Sequence, residues 1–451
     1  MGQSGFKPPL LKTERRKYQF LFSVVAITAV TGTSWGLLAG GAARSVGFGP
    51  AEKDSGLRQE IQKIIRPSLK EAKSGLPTEI RLPSGRSGAS EGGQIDRLVL
   101  QYTLDPDLQG TMERLFKQYN PDYGAFAAID PDTGAVLAMV SHSADPKIKE
   151  NLAIRATFPS ASIFKVVTAA AALSKGGLSP ESVISFTGAN HTLYKSQILK
   201  NETSKRWTRH MTLKEAFGRS VNTVFGRLGA HRLGAVPLRD FADRFGFDQK
   251  LGTDIPIENG HAEIQNDAWE LAEAASGFTQ DNTMSPVQGA LIAAVVANGG
   301  KMMEPYLIAS AHKLDGTPVY TAQPQVIRQA IDDKTADGMK TLMRSTITQG
   351  TSRKTFRGFA RGVFKVTEVG GKTGSLTGDN PKGKVDWFVG YADHRGKRIA
   401  VAALTINEKL WRVKSSWLAR RSMETYIKSQ LQQASVLSSE LDRQGSAVVR
   451  R

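Results

Sequence analysis

The sequence predicts one α/β domain whose sheet draws strands from both ends of the folded chain. Three observations carry this reading. The apolar runs Tyr123-Gly-Ala-Phe-Ala-Ala-Ile-Asp and Ala135-Val-Leu-Ala-Met-Val-Ser are joined by Pro131-Asp-Thr-Gly, turn residues that make a β-hairpin. From Ala161 to Ala297 the apolar residues follow mainly a helical period. Near the end, Trp387-Phe-Val-Gly-Tyr-Ala and Arg398-Ile-Ala-Val-Ala-Ala-Leu-Thr-Ile read as strands, followed by a helix from about Ser415 to Gln432. Strands, a helical middle, more strands and a closing helix suggest an α/β (α+β) layering.

The elements follow in order. Residues 1–17 form a basic head, with Lys7, Lys12, Arg15, Arg16 and Lys17 against Glu14 alone, a net +4. Residues 18–43 carry no charge and are long enough for one helix across a bilayer. The positive-inside rule then keeps the amino terminus cytoplasmic and sends the rest outside. A cleaved signal peptide, using Ala42-Ala43, and a buried core helix are the alternatives; the run is longer than a signal-peptide core, which favours an uncleaved anchor. Residues 44–94, rich in Gly, Ser and Pro, read as a flexible linker. Within it Leu57, Ile61, Ile64 and Ile65 share a helical face, which either docks on the globular domain or lies on the membrane. The globular domain spans 95–432, opening with a strand at Leu98-Val-Leu-Gln-Tyr-Thr-Leu and a helix over Asp105 to Tyr119 that places Leu108, Met112 and Leu115 on one side. Residues 433–451 read as a polar tail.

Composition removes whole classes of function. At 40% hydrophobic and 23% charged the 451 residues bury a core, so wholesale disorder is excluded. The absence of cysteine removes disulfides, thiolate nucleophiles, Fe–S clusters and zinc–thiolate sites. Seven scattered histidines show no metal-ligand spacing, and His142 and His231 read as surface or capping residues. The balance of 60 basic to 42 acidic residues, +18, calls for an anionic neighbour. Without the head it is still 55 to 41, so the exported part is basic too, which argues against nucleic acid.

Three short motifs could do chemistry. In Ser162-Ile-Phe-Lys165, followed by the apolar Val166-Val-Thr-Ala-Ala-Ala-Ala-Leu, a helix places the lysine amine beside the serine hydroxyl. A lysine held neutral by burial and nearby cations can serve as that serine's base. Alone the pattern is weak, because Ser310-Ala-His-Lys313 matches it and reads as a surface turn. In Ser220-Val-Asn222 a hydroxyl and an amide could relay a proton and hold a substrate amide, although in isolation helix capping is the better explanation of the pair. Lys372-Thr-Gly374, flanked by glycines before the Trp387 strand, suits a sheet edge that pairs with a substrate backbone while Lys and hydroxyls hold a carboxylate. A phosphate loop would need Gly where Val366 stands, so nucleotide binding is rejected.

Order and spacing supply the specificity: 58 residues separate Ser162 from Ser220, and 152 separate Ser220 from Lys372. From about Ile95 to Ile427 the sequence resembles the transpeptidase module of the penicillin-binding proteins. The resemblance extends to Tyr102-Thr-Leu-Asp-Pro-Asp-Leu-Gln, Ala128-Ile-Asp-Pro-Asp-Thr-Gly, Gly252-Thr-Asp-Ile-Pro, Met284-Ser-Pro-Val-Gln, Ala297-Asn-Gly-Gly-Lys, Thr348-Gln-Gly-Thr and Trp387-Phe-Val-Gly-Tyr. It implies a β-lactamase/transpeptidase-like fold, an antiparallel five-stranded sheet flanked by helices with an all-helical subdomain.

The same resemblance implies peptidoglycan D,D-transpeptidation on D-Ala-D-Ala stem peptides, with no cofactor and with acylation by β-lactams. Ser162 would be the nucleophile and Lys165 its base, while Ser220 and Lys372 relay the proton to the leaving D-Ala. Asn222 would hold the substrate amide, and Lys372, Thr373, Gly374 and Ser375 the terminal carboxylate. The backbone N–H groups of Ser162 and Ser375 would form the oxyanion hole. The family usually has Thr where Ser375 stands, and the hydroxyl and N–H are retained. With neither a glycosyltransferase nor a pedestal domain apparent, the chain is nearest the monofunctional class, so a separate glycan polymerase is an expected partner. The alternatives are a D,D-carboxypeptidase or β-lactamase on the same fold, or a β-lactam sensor or non-catalytic scaffold. Against a β-lactamase, no Glu after Ser220 stands out as a base for a deacylating water.

Overall fold

The structure, a computed structural model, describes residues 51–71, 75–82, 97–200, 206–252 and 254–448. The basic head and the expected anchor at 18–43 lie outside the described residues. Among the described residues no helix is long and apolar enough to cross a membrane.

The centre is a five-stranded antiparallel sheet of β1 (Tyr123–Ile129), β2 (Val136–Ser143), β3 (Glu368–Asp379), β4 (Lys382–His394) and β5 (Lys397–Asn407), in the order β3-β4-β5-β1-β2. The expected hairpin is β1–β2, and β5 pairs with β1 from Ala400↔Ile129 to Ile406↔Tyr123, so both ends of the domain meet in one sheet. Alternation along β1 feeds two cores: Ala125, Ala127 and Ile129 face one side, Phe126 and Ala128 the other. On the first side lies the helix Pro286–Ala297, buried at every residue. Apart from Gln288 it is apolar all round, as a helix enclosed on all sides tends to be. The helices Pro106–Tyr119 and Ser415–Val448 cover the other face through Leu108, Met112, Phe116, Leu418, Met423 and Ile427. The layering is therefore helix, sheet, helix.

The structure differs from the sequence reading in four places. A second, four-stranded sheet joins Glu79–Arg81, Arg97–Tyr102, Ile308–Lys313 and Pro318–Thr321. Ser310-Ala-His-Lys313 is thus part of a strand and not a surface turn, and residues three apart on a strand point to opposite faces. In the mainly helical middle, Val183–Phe186 and Arg209–Thr212 form a two-stranded sheet. Short apolar runs of this length do not distinguish strand from helix. Finally, the closing helix runs on to Val448, through residues read as polar tail, because Gln, Ala, Leu, Glu and Arg sustain a helix and no proline interrupts it.

The amphipathic segment before the domain docks on it. The helix Ala51–Lys70 buries Ile61, Ile65 and Leu69 in the main core. Arg58 Nε reaches Asp254 Oδ1 at 2.8 Å, and Gln62 donates to the same oxygen. Asn151 closes the helix end, its Nδ2 donating to Leu69 O and its N–H to Lys70 O. This satisfies carbonyls that a helix terminus leaves open.

Candidate active site

Ser162 sits in a single 3₁₀ turn, Ala161–Phe164, which runs directly into the helix Lys165–Ser174. The chain enters this turn under constraint. Ala161 has φ 48°, a left-handed conformation that costs a non-glycine residue about 1–2 kcal/mol. Phe158–Pro159 pairs with Thr283–Met284, Ser160 N–H donates to Asn282 O, and Trp387 Nε1–H of β4 donates to Pro159 O at 2.8 Å. Gly277 allows the closest approach: a Cβ there would lie 1.9 Å from Ala161 O.

Lys165 is fully buried and its amine is held by three acceptors. It donates to Ser162 Oγ at 2.8 Å, to Asn222 Oδ1 at 2.8 Å and to Ser276 O. The last acceptor has a local cause. The helix Ala268–Ser276 ends at Gly277 with φ 64°, which leaves the Ser276 carbonyl free of the helical ladder. Burial, followed by the Lys372 charge, holds the Lys165 amine well below the usual lysine range. A neutral amine within hydrogen-bond reach of a serine is a competent general base.

Ser220 lies between the helices Leu213–Gly218 and Asn222–Arg227 with φ 55°, a second left-handed non-glycine. Its Oγ accepts from Lys372 Nζ at 2.9 Å, and Lys372 also donates to Thr373 O at 2.7 Å. Lys372 is fully buried on β3, beside the Phe217 ring, and burial lowers it to about 7. At neutral pH it therefore exchanges readily between charged and neutral forms. Asn222 is oriented from both ends, its Nδ2 donating to His191 O at 3.0 Å while Oδ1 accepts from Lys165.

β3 is the edge of the central sheet, and strand alternation divides its residues. Thr373 and Ser375 line a cleft of about 210 Å³ together with Ser162, Ser220 and Asn222. Lys372 reaches the same group from beneath through Ser220. Gly374 does not line the cleft: a Cβ there would be 3.1 Å from Ile163 Cγ1 and 3.2 Å from Ser160 O, so its bare Cα lets β3 close on the Ser162 turn. The other seven candidate residues from three distant segments converge on this one cleft.

Several cleft residues had no role in the sequence reading. Thr351 Oγ1 lies 2.6 Å from Thr373 Oγ1 and its N–H donates to Gly218 O. His191, Gly277 and Phe278 complete the wall. Burial and the two lysines hold the His191 imidazole below its ordinary value. Thr351 belongs to a segment that carried the resemblance, so its signal was present; His191 and Phe278 sit in no motif. His142 and His231 are structural, bonded to Asn120 Oδ1 and Ile198 O respectively.

A family model described as "Penicillin binding protein transpeptidase domain" matches residues 124–422. The chain is 29% identical over 353 residues to the peptidoglycan D,D-transpeptidase PbpA of Mycobacterium tuberculosis, covering 70% of this chain and 68% of that one. It is 30% identical over 346 residues to the PbpA of Mycolicibacterium smegmatis, covering 69% and 67%. Among solved structures, the penicillin G acyl-enzyme complex of penicillin-binding protein A from M. tuberculosis superimposes with a TM-score of 0.56 at 28% identity, over 74% of this chain and 80% of that one. The match encloses every candidate residue and all but the first residue of the sheet that positions them, and the chain belongs to the penicillin-binding protein transpeptidase domain family.

Proposed function

We propose that this chain is a peptidoglycan D,D-transpeptidase that cross-links stem peptides through an acyl-serine intermediate and is acylated by β-lactams. The observation that carries the reading is the pair of hydrogen-bonded lysines in one cleft, Lys165 on Ser162 and Asn222, and Lys372 on Ser220. Relatives named peptidoglycan D,D-transpeptidases and a related penicillin acyl-enzyme support it.

In this mechanism Lys165 Nζ takes the Ser162 hydroxyl proton as Oγ attacks the carbonyl of the penultimate D-Ala. The oxyanion is met by the N–H groups of Ser162 and Ser375, a contribution of several kcal/mol to the barrier. Collapse breaks the C–N bond, and Ser220, bonded to Lys372, passes a proton to the departing D-Ala. Lys372, Thr373 and Ser375 hold the terminal carboxylate, and Asn222 the substrate amide. An amine of a second stem peptide then attacks the ester, forming the cross-link and returning the proton to Ser162. Among the described residues that line the cleft none carries a carboxylate, which supports slow deacylation by water over a β-lactamase.

The reading includes an anchor at 18–43, a cytoplasmic amino terminus, an extracytoplasmic catalytic domain and a separate glycan polymerase as partner. The uncharged run and the basic head before it support the topology. Labelling with fluorescent penicillin tests the chemistry: wild type is expected to form one stable adduct and Ser162→Ala none. Retained labelling in the alanine variant would remove Ser162 as nucleophile, and rapid multiple turnover of the drug would replace the transpeptidase reading with a hydrolase.

A further inference from the structure

A depression of about 990 Å³, larger than the cleft, lies next to it. It is formed by the end of the helix Asp333–Thr348, the short helix Arg353–Phe356 and the loop leading into β3. Arg344, Arg353, Lys354, Arg357, Arg361 and Lys365 line it, all six exposed, and Glu368 is the one acidic lining residue. The remaining lining residues are uncharged and include Phe356 and Phe359. Among the described residues none of the six cations makes an ion pair, whereas basic residues elsewhere, such as Arg398 with Asp132 and Asp393, are compensated. Like charges gathered on one surface repel each other, screened by water and salt, and set up a positive potential that draws in an anion.

The depression adjoins the cleft in two ways. Gly350 lines the depression and the next residue, Thr351, lines the cleft, bonded to Thr373. Thr367, Glu368 and Val369 line the depression, and the same strand reaches Thr373 four residues later, about 13 Å on at the rise of an extended strand. Between them runs the outer edge of β3, whose backbone groups no strand of the sheet pairs.

Chemistry decides what such a site holds. On the reading given above, the donor stem ends at the carboxylate held by Lys372 and Thr373, so nothing of the donor extends past that point. What must arrive from the vacated leaving-group side is the second, amine-bearing strand. We propose that the basic depression is an acceptor site, which binds the free carboxylates of the incoming stem peptide and aims its amine at the Ser162 ester. There the amine nitrogen forms the C–N bond, the C–Oγ bond breaks, and the amine proton returns through Lys165 to Ser162 Oγ. The site acts on the second half of the reaction alone. It favours cross-linking over hydrolysis by raising the local acceptor concentration, and salt at a Debye length of about 8 Å weakens it.

The proposal rests on the transpeptidase reading, and the test separates the two. The protein is acylated from a D-alanyl thioester donor and offered a stem-type peptide amine with free carboxylates, or the same peptide with those carboxylates amidated. Wild type is expected to transfer to the free-carboxylate acceptor about tenfold better, with the preference lost at 0.5 M salt. The triple variant Arg353→Gln/Lys354→Gln/Arg357→Gln is expected to lose the preference while keeping the wild-type rate of penicillin acylation. Equal use of both acceptors by wild type overturns the acceptor site without touching the donor chemistry. So does a preference that survives in the acylation-competent triple variant. If the triple variant fails to acylate penicillin, the single variants Lys354→Gln and Arg361→Gln carry the test, and an unchanged preference in both overturns the proposal. Failure of wild type to form any acyl-enzyme defeats the transpeptidase reading itself.

Discussion

At the scale of single residues, the cleft is a device for keeping two lysines buried in different roles. Lys165 contacts Ser162, Asn222 and the Ser276 carbonyl, with the Phe225 ring 5.8 Å away. Its amine is pushed down by burial first and by Lys372 second. Lys372 comes down to about 7 through burial alone. The signs differ in consequence. On the proposed mechanism, lowering the pH through the depressed value of Lys165 protonates the base, so acylation should slow on the acid side. Raising it through about 7 discharges Lys372, so the proposed hold on a substrate carboxylate should weaken on the alkaline side. The second-order rate of acylation by penicillin is expected to be bell-shaped, with an alkaline limb near 7. With penicillin methyl ester, which has no carboxylate, the alkaline limb should vanish. A limb of equal size for both compounds would detach Lys372 from carboxylate binding.

At the scale of elements, the site depends on how closely three pieces of chain can approach. The end of the helix Ala268–Ser276, the Ser162 turn and β3 meet at Gly277, Ala161 and Gly374. Gly277→Ala introduces a methyl 1.9 Å from a carbonyl oxygen at a φ of 64°, two penalties at one residue. We expect a lower Tm and at least a tenfold slower penicillin acylation, because the Ala161–Ser162 turn must shift. Wild-type acylation kinetics in Gly277→Ala would show that the turn does not depend on this contact. The helix Ala51–Lys70 makes a separate prediction. Ile65 is fully buried, so Ile65→Ala should cost about 2–5 kcal/mol by denaturant unfolding while leaving cleft chemistry intact in the folded fraction. A cost within about 0.5 kcal/mol would mean that the helix does not belong to the stable fold.

On the scale of the whole molecule, the folded unit starts before the family match does. Residues 51–71 and 79–81 pack on, or pair with, the rest of the domain through Ile61, Ile65, Leu69 and the strand pairing of Ile80 with Leu98. A chain beginning at residue 51 is expected to label with fluorescent penicillin like the full protein. A chain beginning at residue 97 uncovers the apolar surface beneath that helix, and its Tm should fall by more than about 5 °C. Equal melting of the two would assign the helix to a dispensable linker.

Much of this was legible in the sequence, for reasons that can be named residue by residue. Ser162 and Lys165 are three apart on a chain that goes helical, so their contact follows from local geometry. The hairpin β1–β2 follows from alternation and its turn. The amino-acid sequence by itself also determined the order of the three motifs, the absence of thiol chemistry and the uncharged run near the amino terminus. Only the tertiary structure decided which partners these residues have. The Ser276 carbonyl on Lys165, Thr351 on Thr373 and Gly277 beneath Ala161 join residues 111, 22 and 116 positions apart, and no local period records such distances. The fate of the amphipathic helix before the domain was decided in the same way, because a helical face states what it must bury and not against what. Six cations that make no ion pair among the described residues come together only when two helices and a loop fold them around one depression beside β3.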